Sequence, residues 1–397
     1  MKKYLIFLLF ITAQIFAAKP YVILVSFDGF RWDYVDRNIT PNIQKMIDEG
    51  VHALSLRPSF PSKTFPNHYS IITGMYPENH GIISNRFDNI HTGEDFNMRT
   101  TEGNWWVGRA FWEAAENNGI TTATYFWPGS RLDDPLRRPT YSKEYNHDKP
   151  YEERIDSLIS WLQYPKEKRP NFLSIYFDET DTQGHRHGPN SKGINISIQR
   201  CDSLVKYLKN SLENIGLIDS VNILLTADHG MTEISKERTV NIEQMLAGLD
   251  YKATGGDPFM MIQPSEEDRE EIHSRLAENQ DHFRFYKRED VPDHYHFSNN
   301  GLIYDFVLIA DLGWLIVKDR DLERWDEYAS LGTHGYDNNE LDMHGIFIAS
   351  GPAFKNGYKT GTVWNIDIYP LLCEIFNIPQ SKIIDGKLER ISHVLKN

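Results

Sequence analysis

Six residues of types that bind divalent cations recur at the ends of apolar runs or in polar loops: Asp28, Asp181, His185, Asp228, His229 and His334. Asp28 follows YVILVSF, Asp178 and Asp181 follow NFLSIYF, and Asp228 with His229 follow VNILLT. One aspartate after a strand is a turn residue or cap about twice as often as a ligand, so the inference rests on the set. Carboxylate and imidazole without thiolate suit Zn²⁺ in a hydrolytic centre. Six such groups exceed what one tetrahedral ion accepts and suit two ions. Asp181 and His185 stand four apart in DTQGH, where Gly184 is expected to permit a tight turn that lets both converge. Cys201 and Cys373 are too few for a thiolate site or a disulfide framework and read as two buried thiols, with a single bridge as the alternative.

A hydrolytic centre also needs a nucleophile. Residues 58–70 read PSFPSKTFPNHYS and run into the apolar residues Ile71 and Ile72. Thr64 is expected at an N-cap with Pro66 just inside the helix, and capping alone is the plain explanation for it. A hydroxyl at a helix start also lies beside free N–H groups that attract anions. Next to a divalent ion such a hydroxyl ionises near neutral pH, which removes the need for a separate base. The charge of two divalent ions is matched by three Asp carboxylates and one Thr alkoxide. A site so balanced accepts an anionic phosphodiester without net repulsion.

The elements that must hold these groups read as α/β. Tyr21–Ser26, Asn171–Phe177, Val221–Thr226 and Gly345–Ala349 are continuous apolar runs, as expected of strands covered on both faces. Between the first two, Thr40 is expected to cap a helix with Pro41 at its first position, an Ile43, Met46 and Ile47 face, and Gly50 at its end. Ile194, Ile198, Cys201, Val205, Leu208 and Leu212 form the stripe of another helix. The alternation predicts a doubly wound, mainly parallel sheet, whose ligands gather at the carboxyl ends of the strands. Residues 231–331 interrupt it and read as an inserted α+β capping subdomain. That insert is expected to hold a strand at Phe259–Ile262, a helix opening on Ser265 and Asp268 with Glu266–Glu271 in its first turn, and a hairpin about Gly313 within Phe306–Val317.

At the N-terminus, Lys2 and Lys3, the apolar run Tyr4–Phe16 and then Ala17 and Ala18 match a secretory signal peptide cleaved after Ala18. The run falls short of the roughly 20 residues a membrane span needs. Residues 19–397 are then expected as one exported catalytic domain, periplasmic or secreted, and a monomer. A net charge of −14 excludes a general binder of nucleic-acid duplexes. GxxxxGK[ST], GxSxG, HExxH and GxGxxG are all missing, which removes the usual support for P-loop transfer, serine hydrolysis, zincin proteolysis and dinucleotide binding.

VSFDGFRWDY, PSKTFPNHYSIITGMYPENHGIISN, YFWPGS, DTQGHRHGP, LLTADHGM and THGYDNNELDMHGIFIASGPAF resemble, in order, the motifs of nucleotide pyrophosphatase/phosphodiesterases of the alkaline phosphatase superfamily. The likeness runs from about Tyr21 to Ile378 and is to a minimal catalytic unit of bacterial type. It implies an alkaline-phosphatase-like fold and two Zn²⁺ ions. Asp181, His185 and His334 would hold one ion. Asp28, Asp228 and His229 would hold the other, beside the nucleophile Thr64. It further implies that Asn85 donates to a nonbridging phosphate oxygen and that Phe65 and Tyr176 flank a nucleobase or other leaving-side group. The one departure is Glu179-Thr180-Asp181 where the family often has Glu-Pro-Asp. No arginine follows Thr64, which argues against sulfatase and phosphomonoesterase sites. Phe65, Tyr176 and Trp127 suit a stacked base, so a nucleotide is favoured, but they would equally line a choline or acyl pocket. A metal-binding protein without catalysis would be expected to show a damaged ligand or nucleophile, and all are intact.

Overall fold

The run Tyr21–Phe27 becomes a central strand of an eight-stranded sheet in the computed structural model, which describes residues 19–325 and 330–396. The segment read as a signal peptide lies outside the described residues. Across the sheet the strands run Tyr358–Thr360, Val51–Ala53, Phe347–Ser350, Val221–Thr226, Tyr21–Phe27, Phe172–Phe177, Thr122–Tyr125 and Tyr141–Lys143. All neighbours pair in parallel except at Phe347–Ser350, which is antiparallel to both of its partners. The sheet is therefore mixed but mainly parallel, as expected.

Why these runs are apolar throughout follows from what covers them. Val22 and Leu24 face one buried cluster, Ile23, Val25 and Phe27 the other. Phe172 and Leu224 join the first side, whereas Leu173, Ile175, Ile223 and Leu225 join the second. Helices Pro41–Glu49, Tyr151–Leu162 and Lys192–Asn214 pack on the second side, with all six residues of the predicted stripe in the last of them buried. Helices Thr64–Thr73, Phe111–Asn117 and Ile368–Phe376 pack on the first. Strands buried on both faces have no polar face to alternate with. Cys201 and Cys373 are buried and unbridged, one in each cluster.

The segment after Met231 builds a four-stranded antiparallel sheet in the order Tyr251–Gly256, Phe259–Pro264, Phe306–Ala310, Phe283–Lys287. Phe259, Met261, Val307 and Ile309 face the main body, while Met260, Ile262 and Leu308 face helix Arg269–Glu278. The expected hairpin about Gly313 does not form. Leu315–Val317 leaves its neighbour and pairs in parallel with Thr239–Asn241, because Phe306–Ala310 already has partners on both edges. The helix also begins at Arg269, so Ser265 closes a turn by accepting from the Asp268 N–H instead of opening the helix.

Helix Pro41–Glu49 starts and stops where expected, but Thr40 makes no side-chain cap bond. Asp202, from the long helix Lys192–Asn214, caps it instead: Oδ1 accepts from the Asn42 and Ile43 N–H groups at 2.8 Å each. A carboxylate at a helix N-terminus also complements the helix dipole. Asp202→Ala is therefore expected to lower the unfolding free energy by about 2 kcal/mol in urea titration. Thr40→Ala, which removes only a buried methyl and a non-capping hydroxyl, should cost about 1 kcal/mol.

Candidate metal centre and nucleophile

The ligand candidates gather at the carboxyl ends of the central strands. Asp28 directly follows Tyr21–Phe27, and Asp228 with His229 follow Val221–Thr226. Gly29 turns the chain at φ +66°, and a Cβ there would sit 2.9 Å from the Asp181 Cα. Only glycine allows both the turn and that approach. Asp181 and His185 lie one turn apart on helix Glu179–His187, so regular helical spacing and not a tight turn at Gly184 makes them converge. Gly184 matters for another reason, since a Cβ would meet the Met231 side chain at 2.9 Å. His334 arrives from the short strand Gly332–Thr333.

All six residues come together, in groupings that overlap the expected ones: Asp181 clusters with His229 and His334, and Asp28 and Asp228 cluster with His68. Asp181 Oδ1 lies 3.3 Å from His185 Nε2 and 3.5 Å from His334 Nε2. His229 Nε2 lies 3.2 Å from Asp28 Oδ1, 3.1 Å from Asp228 Oδ2 and 3.3 Å from Thr64 Oγ1. The groups are contiguous, with the His229 and His334 rings stacked at 3.5 Å. Each histidine is held by its other nitrogen. His185 Nδ1 contacts the Gly332 carbonyl at 2.8 Å, His229 Nδ1 that of Gly230 at 2.8 Å, and His334 Nδ1 that of Ser62 at 2.7 Å. A carbonyl only accepts, so each Nδ1 carries the proton and each Nε2 lone pair points at the carboxylates.

The carboxylates complete the pattern. Asp28 Oδ1, Asp181 Oδ1 and Asp228 Oδ2 are buried and hydrogen-bond to nothing among the described residues. Their opposite oxygens are anchored where Tyr176 donates to Asp28 Oδ2 at 2.6 Å and the Gly29 N–H to Asp228 Oδ1 at 3.2 Å. Burial, with Asp228 and Asp181 facing it, pushes Asp28 well above the usual carboxylate range. Crowded acceptors and lone pairs without a donor between them are the chemistry of a cation site, and this donor set fits divalent ions.

Thr64 is the first residue of helix Thr64–Thr73 and Lys63 is its N-cap, so the expected N-cap position is shifted by one residue. The helix start is tied down from outside. The Phe65 N–H donates to Asn85 Oδ1 at 2.8 Å, which leaves the Asn85 Nδ2 donor uncommitted by that bond. Thr64, Phe65, Asn85 and Tyr176 line a cleft of about 790 Å³ that also takes in Asp28, Asp181, His185 and His334. Asp228 and His229 lie beneath it, almost fully buried. Tyr176 faces the cleft with its ring and spends its hydroxyl on Asp28, a bond that a role in base stacking alone did not foretell.

Sequence reasoning missed other residues here. His68 contacts Asp228 and the Thr64 carbonyl, but its partners are far off in sequence or on the backbone, and nothing local marks it. Tyr145 and Trp106 line the cleft, and Phe126 joins Tyr145 to Tyr176 with ring centroids at 4.9 and 5.5 Å. Aromatic richness near YFWPGS was the available signal. Trp127 is 1% exposed, and its Nε1 donates to the His68 carbonyl, so its edge is committed to the scaffold.

Known proteins resemble this chain over most of its length. The family model for type I phosphodiesterase / nucleotide pyrophosphatase matches residues 22–337. Bis(5'-adenosyl)-triphosphatase enpp4 of Xenopus laevis is 35% identical over 365 residues, covering 91% of this chain and 79% of that protein. Ectonucleotide pyrophosphatase/phosphodiesterase family member 3 of Bos taurus is 37% identical over 390 residues, covering 95% of this chain, which spans 44% of that longer protein. Among solved structures, human ectonucleotide pyrophosphatase / phosphodiesterase 5 superposes with a TM-score of 0.90 at 32% identity, over 95% of this chain and all of that one. The murine counterpart, an inactive Thr-to-Ala variant in complex with AMP, gives the same TM-score at 31% identity and the same coverage. With most of its length matched in sequence and fold, the chain belongs to the type I phosphodiesterase/nucleotide pyrophosphatase family of hydrolases.

Proposed function

We propose that this chain is an exported two-zinc phosphodiesterase that cleaves nucleotides, converting a nucleoside triphosphate to the monophosphate and pyrophosphate through a phospho-threonine intermediate. One observation carries the reading: three Nε2 lone pairs, oriented by backbone carbonyls, converge with three unpartnered carboxylate oxygens beside the Thr64 hydroxyl. Asp181, His185 and His334 would hold one zinc, and Asp28, Asp228 and His229 with Thr64 the other. When bound, the ions supply Lewis acidity and lower the pKa of the neighbouring hydroxyl. Residues 1–18 are read as the leader and residues 19–397 as the catalytic domain. Residues 231–331 serve as its cap, an assignment supported by the reach of Asp257 to within 3.8 Å of Lys63 Nζ next to the nucleophile.

The chain's own groups then divide the work. Asn85 Nδ2 donates to one nonbridging oxygen and orients the phosphorus. Phe65 and the ring of Tyr176 hold the nucleoside. Thr64 Oγ1 attacks the α-phosphorus as the bond to the pyrophosphate oxygen breaks, and water then cleaves the phosphorus–Oγ1 bond to return the hydroxyl. A diester with one negative charge matches a cleft whose nucleophile has no arginine following it in sequence. The solved complex of the murine relative with AMP supports a nucleotide in preference to a choline ester.

Thr64→Ala is expected to slow turnover by about 10⁴-fold or more while zinc content, by mass spectrometry, stays near two per chain. Near-normal turnover would remove Thr64 from the nucleophile's role. Chelation should abolish activity and Zn²⁺ restore it, and His334→Ala should retain one ion fewer than the wild type. For substrate class, a nitrophenyl nucleoside monophosphate diester is compared with nitrophenyl phosphate and nitrophenyl phosphocholine. Diester preference is expected, and Phe65→Ala should raise KM for the nucleotide about tenfold while sparing a small aryl diester. Equal monoester turnover would defeat the diesterase reading, and a choline-ester preference would move the substrate to lipids.

A further inference from the structure

His68 is fully buried on helix Thr64–Thr73, one turn beyond the nucleophile. Its Nδ1 lies 2.9 Å from the Thr64 carbonyl oxygen, and Asp228 Oδ2 stands 3.3 Å from the same nitrogen. Both neighbours are acceptors only, so Nδ1 carries the proton, aimed at the carbonyl with the carboxylate beside it. In the neutral ring Nε2 then accepts from the Ser26 hydroxyl at 2.8 Å. Ser26 belongs to strand Tyr21–Phe27, two residues before Asp28. One imidazole thus touches the helix that bears the nucleophile, the strand that ends at Asp28 and the loop that carries Asp228.

The ring cannot swing away from these partners. Trp127 meets it edge-on at 4.9 Å and Tyr176 at 5.2 Å, and both are themselves pinned by hydrogen bonds, Trp127 to the His68 carbonyl and Tyr176 to Asp28. A ligand role for His68 is the competing possibility, since one of its nitrogens lies within 4.8 Å of oxygens of Asp28 and Asp228. It would need Nδ1 to give up its proton and the Thr64 carbonyl, or Nε2 to turn from Ser26. Neither nitrogen offers a lone pair to the carboxylate cluster. The three histidines assigned as ligands are arranged the other way, with Nδ1 on a backbone carbonyl and Nε2 free toward the carboxylates.

Building on the proposed function, we infer that His68 is a positioning residue that fixes the Thr64 turn relative to the Asp228 carboxylate and so aims Oγ1 at the substrate. Its own atoms neither touch substrate nor bind metal. Groups that orient metal ligands and nucleophiles from behind typically change rate or metal affinity by 10–100-fold when removed. Because His68 is not itself part of the cleft lining, and Tyr176 and Trp127 keep their own hydrogen bonds, the loss should fall on kcat and not on KM.

The test uses two amides that reproduce different ring nitrogens. Asn places its N–H near the Nδ1 position, whereas Gln reaches only toward Nε2. With the nitrophenyl nucleoside diester, His68→Gln should lose about 10–100-fold in kcat with KM unchanged, and His68→Asn should be roughly tenfold faster than His68→Gln. At saturating zinc both should hold the same number of ions as the wild type. The free zinc concentration that half-fills the weaker site should rise about tenfold in His68→Gln alone. Should the ring variants not fold, Ser26→Ala removes a single oxygen and is expected to lower kcat several-fold with KM unchanged. Equal kcat for the Asn and Gln variants, a KM that rises with the loss of kcat, an unaffected Ser26→Ala, or one ion fewer at saturation would each overturn the inference. A wild-type chain that cleaves no diester would instead overturn the proposed function itself.

Discussion

Three carboxylate oxygens buried within reach of one another, with no donor between them, are the constraint around which the molecule is arranged. Unpaired charges withdrawn from water repel strongly in a low-dielectric interior and favour protonation or a counter-cation. Lys63 brings a cation near Asp181 but pairs with Asp257 at 3.8 Å, and imidazole lone pairs are what converge on the carboxylates. Backbone carbonyls of Gly230, Gly332 and Ser62 set those lone pairs, so the polarity of the centre is written into main-chain geometry. Side chains alone could rotate out of such a conflict. Main-chain carbonyls in packed loops cannot.

That arrangement requires several remote loops to be held to within an ångström or so, and the rigid sheet does this. Strands Tyr21–Phe27, Phe172–Phe177 and Val221–Thr226 are adjacent and in parallel register, so the residues after Phe27, Phe177 and Thr226 emerge side by side. Burial on both faces leaves these strands no freedom to slip, because a one-residue shift would exchange the faces packed against two different helical layers. The nucleophile enters from a helix on one face, and its start is fixed by Asn85 and Lys63 rather than by its own side chain.

The sheet's core strands, the long amphipathic helix and all six candidate ligands were legible from sequence, because each is marked by a local property: a continuous apolar run, a period of 3.6, or a chemically distinctive residue at a strand end. What escaped was decided by distant partners. Asp202 caps a helix 160 residues away at Asn42, and the local Thr40 signal pointed elsewhere. The segment about Gly313 has the look of a hairpin, yet its two strands find other partners because the sheet edge is already taken. Gly184 read as a turn residue when helical spacing already did that work, and its smallness serves Met231 instead. His68 carries no local signature, since the three groups it joins lie 4, 42 and 160 residues from it.

The antiparallel strand Phe347–Ser350 reverses the relation between ligand and strand. The parallel strands deliver their ligands after they end, but here Phe347 pairs level with Thr226 and the site lies before the strand begins. His334 is thus flanked by two anchors, strand Gly332–Thr333 paired with Thr232–Glu233 before it and Phe347–Ser350 after it. During synthesis, an N-to-C emerging polypeptide presents five of the six candidate ligands well before the sixth, His334, and the strand that follows it. Closure of the arrangement therefore draws on chain from Tyr21 to Ser350, nearly the whole length of the sheet's core.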